Sequence, residues 1–202
     1  GPVKTSRSDR AGHGSLDHAC AVTTPPGSLS RSQSRKRPPR APLAPARRAP
    51  VFALRCRQYR DASLEDYRGS AVVVAFYVAD WHPVCSAQLA RYSELTTELQ
   101  QLGAELVAIS VDSVWSHMAF ANARQLQIPL LADDSPRGAT ARAYGVYDGR
   151  RQVPKRALFV IDPLGTIVWT AVFPDAVDPG VDGILTALEG LQETPPTEGQ
   201  PT

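Results

Sequence analysis

No stretch of this 202-residue chain approaches the roughly 20 consecutive apolar residues needed to cross a bilayer as a helix, which excludes a transmembrane helix. Cysteine is scarce. Three thiols cannot form a disulfide framework, and the odd count points to a reactive thiol or to buried spectators. There is no C-x-x-C pair, no zinc-ligand spacing and no Gly-rich phosphate loop. Zinc chemistry and P-loop nucleotide chemistry fall away, and neither metal nor cofactor is expected. What remains is 43% apolar residues, enough for one sizeable core.

The formal charge of +2 hides an asymmetry. Residues 1–50 carry ten basic and two acidic side chains, so that segment is +8 and the remainder −6. The same fifty residues hold eight Pro, seven Ser and four Gly, a composition that cannot bury enough surface to offset chain entropy. Residues 1–46 are therefore expected to be a disordered basic leader. Gly1-Pro2 has the form of a scar from a cleaved tag, and no apolar stretch of signal-peptide length follows. Arg35, Lys36, Arg37, Arg40, Arg47 and Arg48 could grip nucleic acid or an anionic surface, but no aromatic residue interleaves them to stack bases. A solvated leader is the better expectation, and His13, His18 and Cys20 meet within it only by coincidence.

Beyond residue 50 the pattern alternates. Residues 71–78 (AVVVAFYV) form a β-branched and aromatic run, apolar on both faces as a central strand is. Pro83 precedes a helical stretch over 84–102, with Leu89, Tyr92, Leu95, Leu99 and Leu102 at three- and four-residue spacing, and Gly103 ends it. Residues 106–111 read as a second buried strand and 114–126 as a second helix, capped by Asp112 or Ser113. Ser135-Pro136 reads as the start of a short helix to Tyr144. Strands over 157–161 and 166–172 flank a four-residue turn, a hairpin, and a last helix spans 179–191. This order predicts an α/β fold: a thioredoxin-like mixed sheet flanked by helices.

The chemistry converges on Cys85, in Asp80-Trp81-His82-Pro83-Val84-Cys85, where the first strand gives way to the first long helix. The unpaired N–H groups and partial positive charge of a helix N-terminus favour a thiolate there. A buried, inert cysteine is the alternative, weakened by the position at the carboxyl end of a central strand.

From Arg47 to Gln192 the chain resembles the peroxiredoxins, thiol peroxidases of the AhpC/TSA and bacterioferritin-comigratory or AhpE-like type. The resemblance is carried by Ala49-Pro50-Val51-Phe52-Ala53-Leu54, Ser63-Leu64-Glu65-Asp66-Tyr67-Arg68-Gly69 and Phe76-Tyr77 ahead of Cys85. It continues through Ile109-Ser110-Val111-Asp112-Ser113, Pro129-Leu130-Leu131-Ala132-Asp133, Tyr144-Gly145-Val146 and Arg156-Ala157-Leu158-Phe159-Val160-Ile161-Asp162. It implies that Cys85 is the peroxidatic cysteine, attacking a peroxide to give a sulfenic acid, and that Arg156 stabilises thiolate and leaving oxygen. The family usually has Pro at Val78 and Thr or Ser at His82. His82 is retained as a catalytic candidate because a ring nitrogen can replace the missing hydroxyl donor. Val78, Trp81, Pro83 and Gln88 are expected around the substrate pocket, with Trp81 also a candidate dimer contact.

No cysteine follows Cys85, and Ala90 stands where close-spaced relatives carry a resolving thiol. Cys56 is the possible resolving residue within the domain; otherwise an external thiol or redoxin must reduce the sulfenic acid. Trp115, His117 and Phe120 are expected to serve packing, and Asp112, Asp133 and Asp162 caps or turns. The expected organisation is a leader over 1–46, a peroxiredoxin domain over 47–192 and a flexible tail over 193–202, in a cytoplasmic homodimer that uses peroxide and no membrane. Two rivals stand beside it: a thioredoxin-like binding or holdase module, and a binder of anionic polymers through the leader.

Overall fold

A computed structural model describes residues 41–193. The expected disorder over most of the leader, Arg35, Lys36, Arg37 and Arg40 of its basic cluster, Cys20 and the tail from residue 194 lie outside the described residues, whereas Arg47 and Arg48 form β1. In chain order the elements are β1 (Arg47–Arg48), β2 (Ala53–Arg57), β3 (Arg60–Ser63), a 3₁₀ turn (Leu64–Tyr67), β4 (Ala71–Phe76), α1 (Pro83–Glu94), α2 (Thr96–Gln101), β5 (Ala104–Ser110), α3 (Val114–Arg124) and β6 (Leu130–Ala132). There follow α4 (Ala139–Ala143), β7 (Tyr147–Asp148), β8 (Val153–Pro154), β9 (Arg156–Ile161), β10 (Thr166–Phe173) and α5 (Asp182–Glu193).

Eight strands form one mixed sheet in the order β1-β10-β9-β4-β5-β6-β2-β3. β4, β5 and β6 run parallel, as strands joined by helical crossovers do, while β9 lies antiparallel to β4 and to β10. Asp162 closes the β9–β10 hairpin, its Oδ1 accepting from the amides of Leu164 and Thr166, and Gly165 takes the left-handed conformation at φ +88°. This is the thioredoxin-like arrangement expected from the sequence.

All of β4 is buried, and its alternation divides the core. Val73, Ala75 and Tyr77 join Cys85, Leu89, Tyr92, Leu158, Val160, Ile184 and Leu188 in one cluster. Val72, Val74 and Phe76 join Phe159, Ile161 and Tyr144 in the other. Each buried side chain of this size stabilises the fold by roughly 1.5–3 kcal/mol relative to exposure. By the same two-residue period Arg156 shares a face with Leu158 and Val160, so the strand that supplies the core also aims a guanidinium at the Cys85 side.

Several boundaries depart from expectation. The helix predicted over 84–102 breaks at Leu95 into α1 and α2, because Thr96 Oγ1 donates back to the carbonyls of Tyr92 and Ser93 at 3.4 and 2.9 Å. The helix predicted from Pro136 begins only at Ala139; Gly138 is left-handed ahead of it, and the Asp133 carboxylate accepts from the amides of Thr140 and Ala141. The last helix starts at Asp182 rather than 179, after Gly180 at φ +67°. Residues 41–46, counted with the leader on composition, are docked: Leu43 N donates to Tyr144 O and Ala46 N to Ile167 O. Gly145, at φ +76°, permits this, since a Cβ there would stand 2.0 Å from Ala41 O.

Candidate active site

Cys85 is the third residue of α1, after Pro83 at the first helical position and His82 at the N-cap, and it is fully buried. Its Sγ therefore sits within the helix turn whose amides lack intrahelical partners. Arg156 opens β9, is also fully buried, and places Nη2 3.4 Å from Cys85 Sγ. The same Nη2 donates to Asp175 O at 3.0 Å, and Nη1 donates to Gln88 Oε1. Gln88 lies one turn beyond Cys85 and donates through Nε2 to Tyr92 Oη, which donates to Gly180 O. Burial pushes the Tyr92 phenol up to about 12, so it remains a donor.

No carboxylate among the described residues pairs with Arg156: Asp175 directs its side chain to Arg151, and Asp178 pairs with Arg91 at 2.9 Å. A buried guanidinium without a counter-ion is costly, and an anion at Cys85 Sγ offsets that cost. Three buried polar atoms close to this arrangement have no partner within the protein: Arg156 Nε, Ser86 Oγ and His82 Nδ1. Buried polar atoms ordinarily find a partner in protein or ordered water, so these three are open to one from outside the chain.

The structure thus brings together Cys85, Arg156 and Gln88. Val78 is buried in the same cluster as Cys85. Pro83 starts the helix and is exposed. His82 is next to the site in sequence, but its ring makes no hydrogen bond to the sulfur. Trp81 stands at φ +63°, packs edge-on against Phe120 with centroids 5.1 Å apart, and is 51% exposed. It leans on α3 instead of closing over the thiol. Cys56 is a free thiol on β2, donating to Arg60 O at 3.3 Å and packing against the other core cluster from Cys85. No contact joins the two.

Sequence reasoning missed a second buried group. Asp80 Oδ1 accepts from Tyr77 Oη at 2.8 Å, while Oδ2 accepts from Ser116 Oγ at 2.6 Å and from His117 Nδ1 at 3.0 Å. Asp80 N donates to Asp112 Oδ2, which also accepts from Ser110 Oγ. Burial works to raise the Asp80 carboxyl, but the His117 hydrogen bond and charge, with Ser116 and Tyr77, outweigh it and hold it below the ordinary 3.8. An ionised carboxylate only accepts, so Nδ1 of His117 carries the proton. Burial first, then Asp80, pushes the Tyr77 phenol far above 10.0. The available signal was a lone histidine among apolar residues on the buried side of α3.

The AhpC/TSA family profile matches residues 45–170. A Caenorhabditis elegans relative named "Probable peroxiredoxin prdx-3" is 35% identical over 161 residues, covering 75% of this chain and 70% of that one. A peroxiredoxin of Oncorhynchus mykiss is 34% identical over 145 residues, covering 68% and 72%. Among solved structures, AhpC of Enterococcus faecalis superposes with a TM-score of 0.68 at 28% identity, covering 74% of this chain and 92% of that one. Reduced 2-Cys peroxiredoxin of Plasmodium vivax superposes at 0.69 with 23% identity, covering 75% and 83%, a likeness of fold.

Proposed function

The chain belongs to the AhpC/TSA family, the peroxiredoxins, and is a thiol peroxidase; from that premise we propose that Cys85 is its peroxidatic cysteine and that it works by a one-cysteine mechanism. The observation that carries this is the buried Arg156 guanidinium, whose nearest potential anion among the described residues is Cys85 Sγ at 3.4 Å.

The thiolate attacks the terminal oxygen of a hydroperoxide. An S–O bond forms and the O–O bond breaks; sulfur gives up two electrons, and the departing water or alcohol takes up a proton. Arg156 stabilises the thiolate beforehand and the charge growing on the leaving oxygen during the step. Gln88 holds Nη1 so that Nη2 faces sulfur. His82 Nδ1 and Ser86 Oγ, both lacking partners, are available to the peroxide oxygens.

The sulfenic acid condenses with an external thiol, releasing water and leaving a mixed disulfide, and a second thiol regenerates Cys85. Cys56 is a poor resolving residue because it packs on the opposite cluster and bonds to Arg60. The lack of a partner thiol beside Cys85 among the described residues supports placing the chain near the bacterioferritin-comigratory or AhpE-like branch. Reduction by an external thiol or redoxin suits a reducing compartment such as the cytoplasm. A homodimer is part of this proposal, with the exposed Trp81 and Trp115 as candidate contacts.

The test is peroxide consumption with dithiothreitol or thioredoxin as reductant. Turnover is expected from the wild type and from Cys56→Ser, and none from Cys85→Ser. Full turnover by Cys85→Ser would remove the assignment. Absence of turnover in the wild type would leave a thioredoxin-like binding or holdase module, the reading that the departures at Val78 and His82 favour.

A further inference from the structure

We propose that Asp80 and His117 are positioning residues for Cys85: a buried hydrogen-bonded pair that fixes the turn into α1 and thereby the distance from Sγ to the Arg156 guanidinium. The inference rests on Cys85 being the peroxidatic thiol.

Six residues, 77–82, connect β4 to α1. Their first anchor is Tyr77 N on Ile109 O, and the next is Asp80 N on Asp112 Oδ2 at 2.8 Å. Then Trp81 adopts φ +63°, a left-handed conformation that a bulky aromatic residue avoids unless its surroundings impose it. His82, the N-cap, has no side-chain capping bond, so the start of α1 is not fixed from within. What holds the turn is the Asp80 carboxylate, met by Tyr77 just after β4 and by Ser116 and His117 from α3, with Asp112 beyond β5 on its own amide. Side chains of Asp80 and His117 are 1% and 2% exposed. In that setting the hydrogen bond is geometrically demanding, and removing the His117 donor leaves the buried Asp80 carboxylate short of a partner.

Only Pro83 and Val84 separate His82 from Cys85, so a rotation of the turn is transmitted directly to Sγ. Misplacing a reacting atom by about 1 Å can cost on the order of 10²-fold in rate. Alkylation by a small reagent uses the same thiolate but develops no charge on a leaving oxygen for Arg156 to meet, so it loses less than oxidation does when Sγ is displaced. A clamp therefore differs from a generic structural role: it separates the reaction with peroxide from the reaction with iodoacetamide.

The experiment uses the full chain, reduced, with two rates for Cys85: oxidation by hydrogen peroxide in stopped flow, and iodoacetamide labelling of the Cys85 peptide by mass spectrometry. His117→Leu should slow oxidation by about tenfold or more, while His117→Asn, which can return a donor to the Nδ1 position, should stay within about threefold of wild type. Labelling should fall by a smaller factor than oxidation in every variant. Oxidation of His117→Leu at the wild-type rate, failure of His117→Asn to rescue, or a parallel fall in labelling each overturns the clamp. If His117→Leu does not fold, Ser116→Ala removes one donor and keeps the Asp80–His117 hydrogen bond; oxidation slowed about threefold with a smaller fall in labelling supports the clamp, and an unchanged rate overturns it. A fast wild type with a fast His117→Leu variant sinks the clamp alone. A wild type no faster than a free thiol sinks the peroxidatic assignment and the clamp with it.

Discussion

Arg156 Nη2 lies 3.4 Å from Cys85 Sγ across 71 residues of sequence, with both side chains fully buried. β9 delivers the guanidinium and the first turn of α1 delivers the sulfur, so the sheet and its principal helix meet at the thiol. Removing the cation should act mainly on the transition state. Arg156→Met is expected to slow oxidation of Cys85 by roughly 10²–10³-fold, the scale of losing one preorganised donor. Arg156→Lys should recover only part of that rate, because a single ammonium cannot address Cys85, Gln88 and Asp175 together. Stopped-flow oxidation of the two variants checks both statements.

Cys56 should be dispensable. One equivalent of hydrogen peroxide should leave a sulfenic acid on Cys85 that dimedone traps, with no Cys56–Cys85 disulfide in the peptide map. Cys56→Ser should turn over with an external thiol at about the wild-type rate. A Cys56–Cys85 disulfide formed within one chain would require the two core clusters to come apart.

Acid should weaken the fold through Asp80. Its folded carboxyl is held below the ordinary 3.8, so its contribution is fully present above that value and is lost as pH falls through the lower, folded one. Asp80→Asn is expected to be less stable than wild type near neutrality, with the difference shrinking toward pH 3 as measured by urea denaturation. A difference that grows on acidification contradicts the assignment.

Gly145→Ala tests the docking of residues 41–46. The position needs φ +76°, and a Cβ would collide with Ala41 O. A loss of about 1–3 kcal/mol is expected in thermal or chemical unfolding, with oxidation of Cys85 unchanged because the contact lies on the other core cluster.

β4 and β5 were legible because both are continuous apolar runs, and the β9–β10 hairpin because Asp162-Pro163-Leu164-Gly165 is turn chemistry. The β2–β3 hairpin was not: Arg55, Arg57, Arg60 and Asp61 interrupt it, as charges do on an edge that is half solvated. β6 is only three residues long, too short to show a period. Cys85 could be singled out from its strand-to-helix junction. Arg156 stood out only through the family resemblance, since Lys155, Arg150 and Arg151 beside it look alike in one dimension. Asp80 and His117 escaped because 37 residues separate them and each has an ordinary local explanation, a turn acid and a helix histidine.

The most direct measurement is stopped-flow tryptophan fluorescence of the reduced chain mixed with hydrogen peroxide, run beside Cys85→Ser. Trp81, four residues before the sulfur and half exposed, is placed to report the change. The account predicts a rapid signal that saturates at one peroxide per chain and vanishes in Cys85→Ser. A wild-type reaction no faster than that of a free thiol, or a signal that persists in Cys85→Ser, would contradict it.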